Sequence, residues 1–262
     1  MSEVNSHTII EIADVTIGYR GKHTETLVNE HLNGNISQGE LICLLGPNGC
    51  GKSTFIRTIA GMQPALGGSI SIEGEPLAAM RPETLAKKMS IVLTDRIDDV
   101  NLRVYDMVAL GRYPYTNWFG TLTQADEEII ANAMEQVSIS AFANRRMQEL
   151  SDGEKQRAMI AKALAQDTPC IILDEPTAHL DVPNRIEVMD LLKRLAHQTN
   201  KSILVSTHEL NLALHVSDTI WLMQKHGEML SGKPMDLVNA KAFEQAFAIQ
   251  SELLERFLVN LV

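Results

Sequence analysis

The sequence predicts an α/β fold: a largely parallel sheet wrapped by helices and interrupted by a helical insert over about residues 85–165. Three observations carry this expectation. First, the apolar run at 41–45 (LICLL) stops at a Gly/Pro/Asn cluster, and a helix pattern follows over 52–60 with Gly61 as its stop. Second, three more apolar runs, 170–173, 203–206 and 219–223, read as buried strands, and a helix opened by Pro183 separates the first two. Third, the middle of the chain is helical in pattern. Strands that alternate with helices need crossover connections, and these produce parallel sheets covered on both faces.

The elements follow in order. Residues 9–17 read as a strand of mixed alternation, with Gly18 and the 20–22 stretch (RGK) as a turn. Residues 69–73 (SISIE) alternate and end at Gly74, and Pro82 opens a helix over 82–88. Thr123 with Asp126 three residues later forms a capping-box pattern for a helix to about residue 134. A further helix is expected over 152–165. The helix from Pro183 places Ile186, Met189, Leu192 and Leu195 on one apolar face. Near the end, Phe243, Phe247, Leu254, Phe257, Leu258 and Leu261 share a helical face, which suits packing on the protein's own core or dimerisation.

Composition narrows the function. The chain has 262 residues, 45% hydrophobic, and 33 acidic against 23 basic residues give a formal charge of −10. That balance argues against a broad nucleic-acid footprint and against a polybasic membrane binder. No apolar run approaches the ~18 residues a membrane span needs. The N-terminus (MSEVNSH) lacks the pattern of a secretory signal, so a cytosolic protein is expected. Cys43, Cys50 and Cys170 have no metal-ligand spacing.

Residues 46–54 read GPNGCGKST, which satisfies G-x-x-x-x-G-K-[ST] between a strand and a helix. Gly46, Gly49 and Gly51 let the backbone curl, so that the N–H groups of the loop through Asn48 and Cys50 point into one concavity. The positive end of the following helix adds about half a charge. Lys52 supplies a full charge to the β/γ phosphates, and Ser53, next to Thr54, offers a hydroxyl to Mg²⁺. Cys50 lies inside the loop, so its thiol is expected near bound phosphates, with thiol reagents competing with nucleotide. Residues 171–175 read IILDE. Asp174 ends an apolar strand, where a parallel sheet presents its ligand edge, and can hold Mg²⁺. Glu175 beside it is placed to take a proton from an attacking water.

Residues 150–157 (LSDGEKQR), 171–181 (IILDEPTAHLD) and 206–208 (STH), together with GPNGCGKST, resemble the ATP-binding-cassette ATPases over about residues 9–240. The resemblance implies a RecA-like P-loop core with an antiparallel β subdomain and an inserted helical subdomain. Residues 1–84 and 166–240 would form the core and β subdomain, 85–165 the helical subdomain, and 241–262 a helical tail. It implies that Tyr19 stacks on adenine, and that Ser151 and Gly153 touch the γ-phosphate bound to the other copy. Asp181 would lie in the loop crossing between copies, and His208 would contact the γ-phosphate and Glu175. A homodimer with two shared ATP sites follows.

This sequence departs from the family in the signature, where Asp152 and Glu154 replace Gly and Gln, and at Asp95, where a Gln that contacts Mg²⁺ is usual. Asp95 could still ligate Mg²⁺, in part through water. The 104–118 stretch (VYDMVALGRYPYTNW) and the following LTQAD are similar to ATPases of bacterial importers for iron–siderophore complexes, haem and cobalamin. That implies membrane permease partners, indirectly a substrate-binding protein, and a place on the cytoplasmic face of the membrane. Tyr105, Tyr113, Tyr115, Trp118 and Phe119, with Arg112, are expected as anchors of that interface, or else as packing of the subdomain. A soluble assembly or repair ATPase is the alternative reading.

Overall fold

The computed structural model describes residues 7–21, 24–94, 101–225 and 227–247. Two sheets organise it. The smaller is antiparallel: β1 (Thr8–Arg20), β2 (Glu25–Ser37), β4 (Gly67–Ile72) and β5 (Glu75–Pro76) lie in the order β2-β1-β4-β5. The larger has the order β10-β9-β3-β8-β7-β6, built from β3 (Leu41–Leu45), β6 (Met89–Val92), β7 (Cys170–Asp174), β8 (Ser202–Ser206), β9 (Thr219–Met223) and β10 (Met229–Gly232). Neighbours pair parallel throughout, except β10 on β9.

Every residue of β3, β7 and β8 is buried, as expected for a parallel sheet with both faces covered. Alternation sorts their side chains. Ile42, Leu44, Cys170 and Ile172 join Phe55, Ile56 and Ile59 of α1 (Lys52–Ile59) and the inner face of the small sheet. Leu41, Cys43, Leu45, Ile171 and Leu173 face the other way, into a cluster shared with α6 (Val182–Thr199) and the helical insert. The phosphate-loop segment therefore sits between two cores and at the C-terminal edge of the sheet.

The remaining helices are α2 (Pro82–Lys88), α3 (Val104–Ala109), α4 (Gln124–Gln136), α5 (Asp152–Ala165), α7 (Leu210–Val216), α8 (Pro234–Asn239) and α9 (Ala242–Phe247). Thr123 caps α4 reciprocally with Asp126, as the sequence pattern predicts. A six-residue 3₁₀ segment, Leu110–Tyr115, follows α3 and lies on α5. A Cβ on Gly111 would sit 2.2 Å from the Lys162 carbonyl oxygen, so only glycine permits that approach.

Several sequence expectations are corrected. Gly18 lies within β1 rather than at a turn, tight against the Thr26 carbonyl across the pair. Met89–Val92 falls inside the 85–165 stretch read as helical, yet it pairs with β7 as the edge of the large sheet. Ile186 is 43% exposed while Met189, Leu192 and Leu195 are buried, so the apolar face of α6 begins one turn later. Phe243 is fully buried and Phe247 packs partly on the same core, so these two side chains pack on the protein's own core. Leu254, Phe257, Leu258 and Leu261 lie outside the described residues.

Candidate active site

The loop over 46–51 connects β3 to α1. Gly51 adopts φ +106 at the N-cap of α1, and a Cβ there would lie 2.6 Å from Val28 Cγ1 of β2. Gly46 passes equally close to the Met223 carbonyl. Asn29, itself buried, donates through Nδ2 to the Cys50 carbonyl at 3.2 Å and to the Gln224 carbonyl at 2.8 Å, which pins the loop from behind. Lys52 Nζ donates to the Gly46 carbonyl at 2.9 Å and so lies across the curl of the loop.

A cleft of about 360 Å³ opens over this loop, lined by Tyr19, Val28, Asn48, Gly49, Gly51, Lys52, Ser53, Thr54 and Glu175. Most of the phosphate-loop residues singled out from sequence thus share one space, and Tyr19 joins them from the small sheet. Its hydroxyl lies 2.8 Å from Thr54 Oγ1, and its ring is half exposed.

Cys50 departs from expectation. It is 1% exposed and belongs to the core cluster with Ile17, Phe55 and Met223. Its backbone N–H donates to the Pro47 carbonyl at 3.2 Å, and its side chain packs into that cluster rather than lining the cleft. Burial pushes the thiol pKa up, against the opposing pull of Lys52.

The acidic side of the site is built on β7 and β8. Asp174 is 4% exposed at the end of β7 and accepts from Ser53 Oγ at 3.3 Å and from Ser206 Oγ at 2.6 Å. Its carbonyl accepts from Thr94 Oγ1 at 2.8 Å. Glu175 has φ +46, a left-handed conformation that costs a non-glycine residue about 1–3 kcal/mol. Its N–H donates to the Ser206 carbonyl at 3.2 Å and to Ser206 Oγ at 2.9 Å, and this pair of bonds holds the turn that presents its carboxylate to the cleft. His208 Nδ1 lies 3.7 Å from Glu175 Oε2. Asp95 lies outside the described residues.

Ser151, Gly153 and Asp181 do not line this cleft. Gly153 and Asp181 come together through Asn184 instead, where the starts of α5 and α6 touch. Asp181 caps α6 and accepts from Asn184 Nδ2 at 2.6 Å, and Asn184 Oδ1 would lie 2.6 Å from a Cβ on Gly153. Ser151 caps α5, and its hydroxyl donates to Glu154 Oε2 at 2.8 Å. Bonds from the Ser151 backbone and hydroxyl hold the Glu154 carboxyl below its ordinary range. The Asp152 side chain is largely exposed beside Lys155.

Sequence reasoning gave no role to Ser206, Thr94 or Asn29. Ser206 had a signal: it ends an apolar run next to the strand that ends in Asp174, at the ligand edge of a parallel sheet. Asn29 had none, because its partners are 21 and 195 residues away.

Comparison with known proteins agrees with this geometry. The family described as ABC transporter matches residues 29–178. The petrobactin import ATP-binding protein FpuD of Bacillus anthracis is 35% identical over 93% of this chain and 88% of its own length. The iron(3+)-hydroxamate import ATP-binding protein FhuC of Bacillus subtilis is 33% identical over 91% and 87%. Among solved structures, a dimeric post-hydrolysis state of the ATP-binding cassette MJ0796 bound to ADP and Pi superposes with TM-score 0.73 at 26% identity, covering 86% of this chain and 99% of that one. A phosphate loop at a parallel sheet edge, a carboxylate pair opposite it and these matches over most of the chain lead to one assignment: the chain belongs to the ABC transporter family and is one of its ATP-hydrolysing cassettes.

Proposed function

We propose that two copies of this chain clasp two MgATP molecules, that hydrolysis reopens them, and that the motion drives a membrane permease importing an iron–siderophore complex. The observation that carries the reading is the convergence of Lys52, Ser53 and Glu175 on one cleft, with Asp174 bonded to Ser53 at its edge. Lys52 and the loop N–H groups bind the phosphates, and Tyr19 offers a half-exposed ring to the adenine. Glu175 is the general base, and His208 senses the γ-phosphate. Ser151 and Gly153 complete the partner's site, with Asp181 in the loop between them. Their absence from the cleft of their own chain suits a site shared by two copies.

The residues present fit Mg²⁺. Ser53 Oγ and Asp174 Oδ1 lie 3.3 Å apart, both hard oxygens. Mg²⁺ takes one or two such protein oxygens plus phosphate and water, so it needs no larger protein cage. Ser53 and Asp174 would hold it, and when bound it neutralises charge that develops on the transferred phosphoryl group.

Import of chelated iron is supported by the relatives' roles and by the surface of the helical insert. No helix among the described residues is long and apolar enough to cross a membrane. Tyr113, Trp118 and Phe119 are 76%, 97% and 88% exposed, an aromatic patch suited to a partner segment at the cytoplasmic face of the membrane. Arg112, expected beside them, is instead buried in an ion pair with Asp126 at 2.8 Å and stacks over Tyr115.

The test is Glu175→Gln. Turnover should fall ~10²–10⁴-fold, the usual worth of a general base. ATP binding should persist, and size-exclusion chromatography with MgATP should show a trapped dimer. A variant that hydrolyses normally, or stays monomeric with saturating ATP, overturns the reading.

A further inference from the structure

We propose that Arg185 is a positioning residue for hydrolysis, tying the Glu175–His208 pair to the loop that carries Asp181. The inference rests on the roles given to Glu175 and His208 above. Arg185 lies near the start of α6, and its Nε donates to the Leu180 carbonyl at 2.6 Å. Its Nη1 donates to Glu209 Oε1. That same oxygen lies 3.5 Å from His208 Nε2, and His208 Nδ1 lies 3.7 Å from Glu175 Oε2. A line of polar contacts therefore runs from the peptide preceding Asp181, through a guanidinium, a carboxylate and an imidazole, to the Glu175 carboxylate.

The chemistry of each link favours a positioning role. The two nitrogens of His208 each face a carboxylate, so the orientation of the ring depends on where those carboxylates are held. Glu175 is held by its backbone turn at Ser206. The Glu209 backbone N–H is held by Thr207 Oγ1 at 3.0 Å, but the only cation on its carboxylate among the described contacts, His208 apart, is Arg185. A guanidinium is suited to this place, because its rigid fork serves a carbonyl and a carboxylate at once, whereas an ammonium is a point charge without that geometry. Arg185 and Glu209 are about three-quarters buried, which limits solvent screening of the pair. A shift of the Asp181 loop would thus reach His208 through the Arg185–Glu209 ion pair and the 3.5 Å contact of Glu209 with the imidazole. A merely structural role, stapling α6 to α7, would leave turnover per folded molecule unchanged.

Steady-state ATPase kinetics of the full chain separate the two. Arg185→Gln should lower kcat about tenfold with KM within about twofold, as expected when a group acting only on the chemical step loses its orientation. Arg185→Lys keeps the charge and should still lower kcat about fivefold, because the fork is lost. Glu209→Ala should resemble Arg185→Gln, and the double variant should be no worse than about twofold below the poorer single, because residues acting through one line are not additive. The proposal is overturned if Arg185→Gln and Arg185→Lys keep kcat within twofold of wild type per folded molecule, if only KM moves, or if the two single losses multiply in full. If Arg185→Gln fails to fold, Arg185→Lys decides by the same kcat criterion. Normal turnover by Glu175→Gln would overturn the general-base assignment and this inference with it. Normal turnover by the Arg185 variants alone, with Glu175→Gln inactive, overturns only the inference.

Discussion

Ser206→Ala isolates how the acidic half of the site is held. Ser206 is fully buried, and its hydroxyl is the shortest bond to Asp174, at 2.6 Å. A hydrogen bond to a charged group contributes about 1.5–3 kcal/mol net, and leaving a buried carboxylate oxygen short of a donor sits at the upper part of that range. Two compensations limit the loss: Asp174 retains Ser53 Oγ at 3.3 Å, and the Glu175 N–H retains the Ser206 carbonyl at 3.2 Å. A net destabilisation of about 2 kcal/mol results, which for a chain of this size lowers Tm by about 4–8 °C. The functional effect should exceed the structural one, because Ser206 orients both Asp174 and the strained turn at Glu175. The Mg²⁺ concentration for half-maximal ATPase activity should rise several-fold, as removal of such an outer support of a metal ligand costs about 10–100-fold in affinity at the extreme. Thermal denaturation and a Mg²⁺ titration of turnover measure the two. A Tm within 1 °C of wild type together with an unchanged Mg²⁺ curve would refute the argument that Ser206 holds this pair.

Three further outcomes follow from the same structure. Gly111→Ala drives a Cβ against the Lys162 carbonyl and the Gln166 N–H, both backbone, so unfolding stability should drop by about 1–3 kcal/mol; an unchanged urea midpoint would contradict that contact. Asp126 is held at a pKa of about 2, against an ordinary 3.8, by the Thr123 hydroxyl, the Thr123 N–H and Arg112. A lowered folded-state value means stability present above about pH 4 and lost as pH falls toward 2. Asp126→Asn should therefore be less stable than wild type at neutral pH, with the gap closing below pH 4; a gap constant down to pH 2.5 would deny the linkage. Finally, all three cysteines are buried, so a thiol titration of the native protein should find no fast-reacting group, with or without ATP, and three after denaturation. Nucleotide protection of a reactive thiol would place Cys50 back at the phosphates.

The parts of this fold legible in the sequence are those whose signal is local. The runs at 41–45 and 219–223 coincide with β3 and β9, and the helices expected from Pro82 and over 152–165 coincide with α2 and α5. β2 gave no signal because only Asn29, Leu32 and Ile36 of its 13 residues are buried, and bulges break their alternation. One of those irregularities carries His31 at φ +57, opposite Asp14 at φ +51. β6 is four residues long and enters the sheet only as an edge, so a helical neighbourhood concealed it. At the site, residue types that touch phosphate announce themselves by spacing along the chain. The residues that hold them do not, because Arg185 meets Glu209 and Ser206 meets Asp174 only once the sheet is assembled. The ALGRYPY stretch shows the opposite hazard. Its Gly111 and Arg112 are explained by packing, Tyr115 lies under the Arg112 guanidinium, and Tyr113, Trp118 and Phe119 are left exposed to meet a partner.

A chain at −10 that binds a polyanion cannot rely on its overall field, and the cleft shows what replaces it. Its described lining contains one lysine and one glutamate, so side-chain charge there sums to zero. The attraction must come from oriented backbone N–H groups at the start of α1, whose partial charges act at contact distance. Their orientation is a property of the core. Asn29 holds the Cys50 carbonyl, the Cys50 thiol fills space in the cluster beside Phe55, and the Gly46 backbone lies against the Met223 carbonyl. Phosphate affinity in this protein is therefore coupled to packing between the two sheets, and a substitution such as Asn29→Ala, outside the cleft and without charge, should weaken nucleotide binding more than removal of any exposed lysine. Equal affinity of Asn29→Ala and wild type in a nucleotide titration would return the explanation to Lys52 alone.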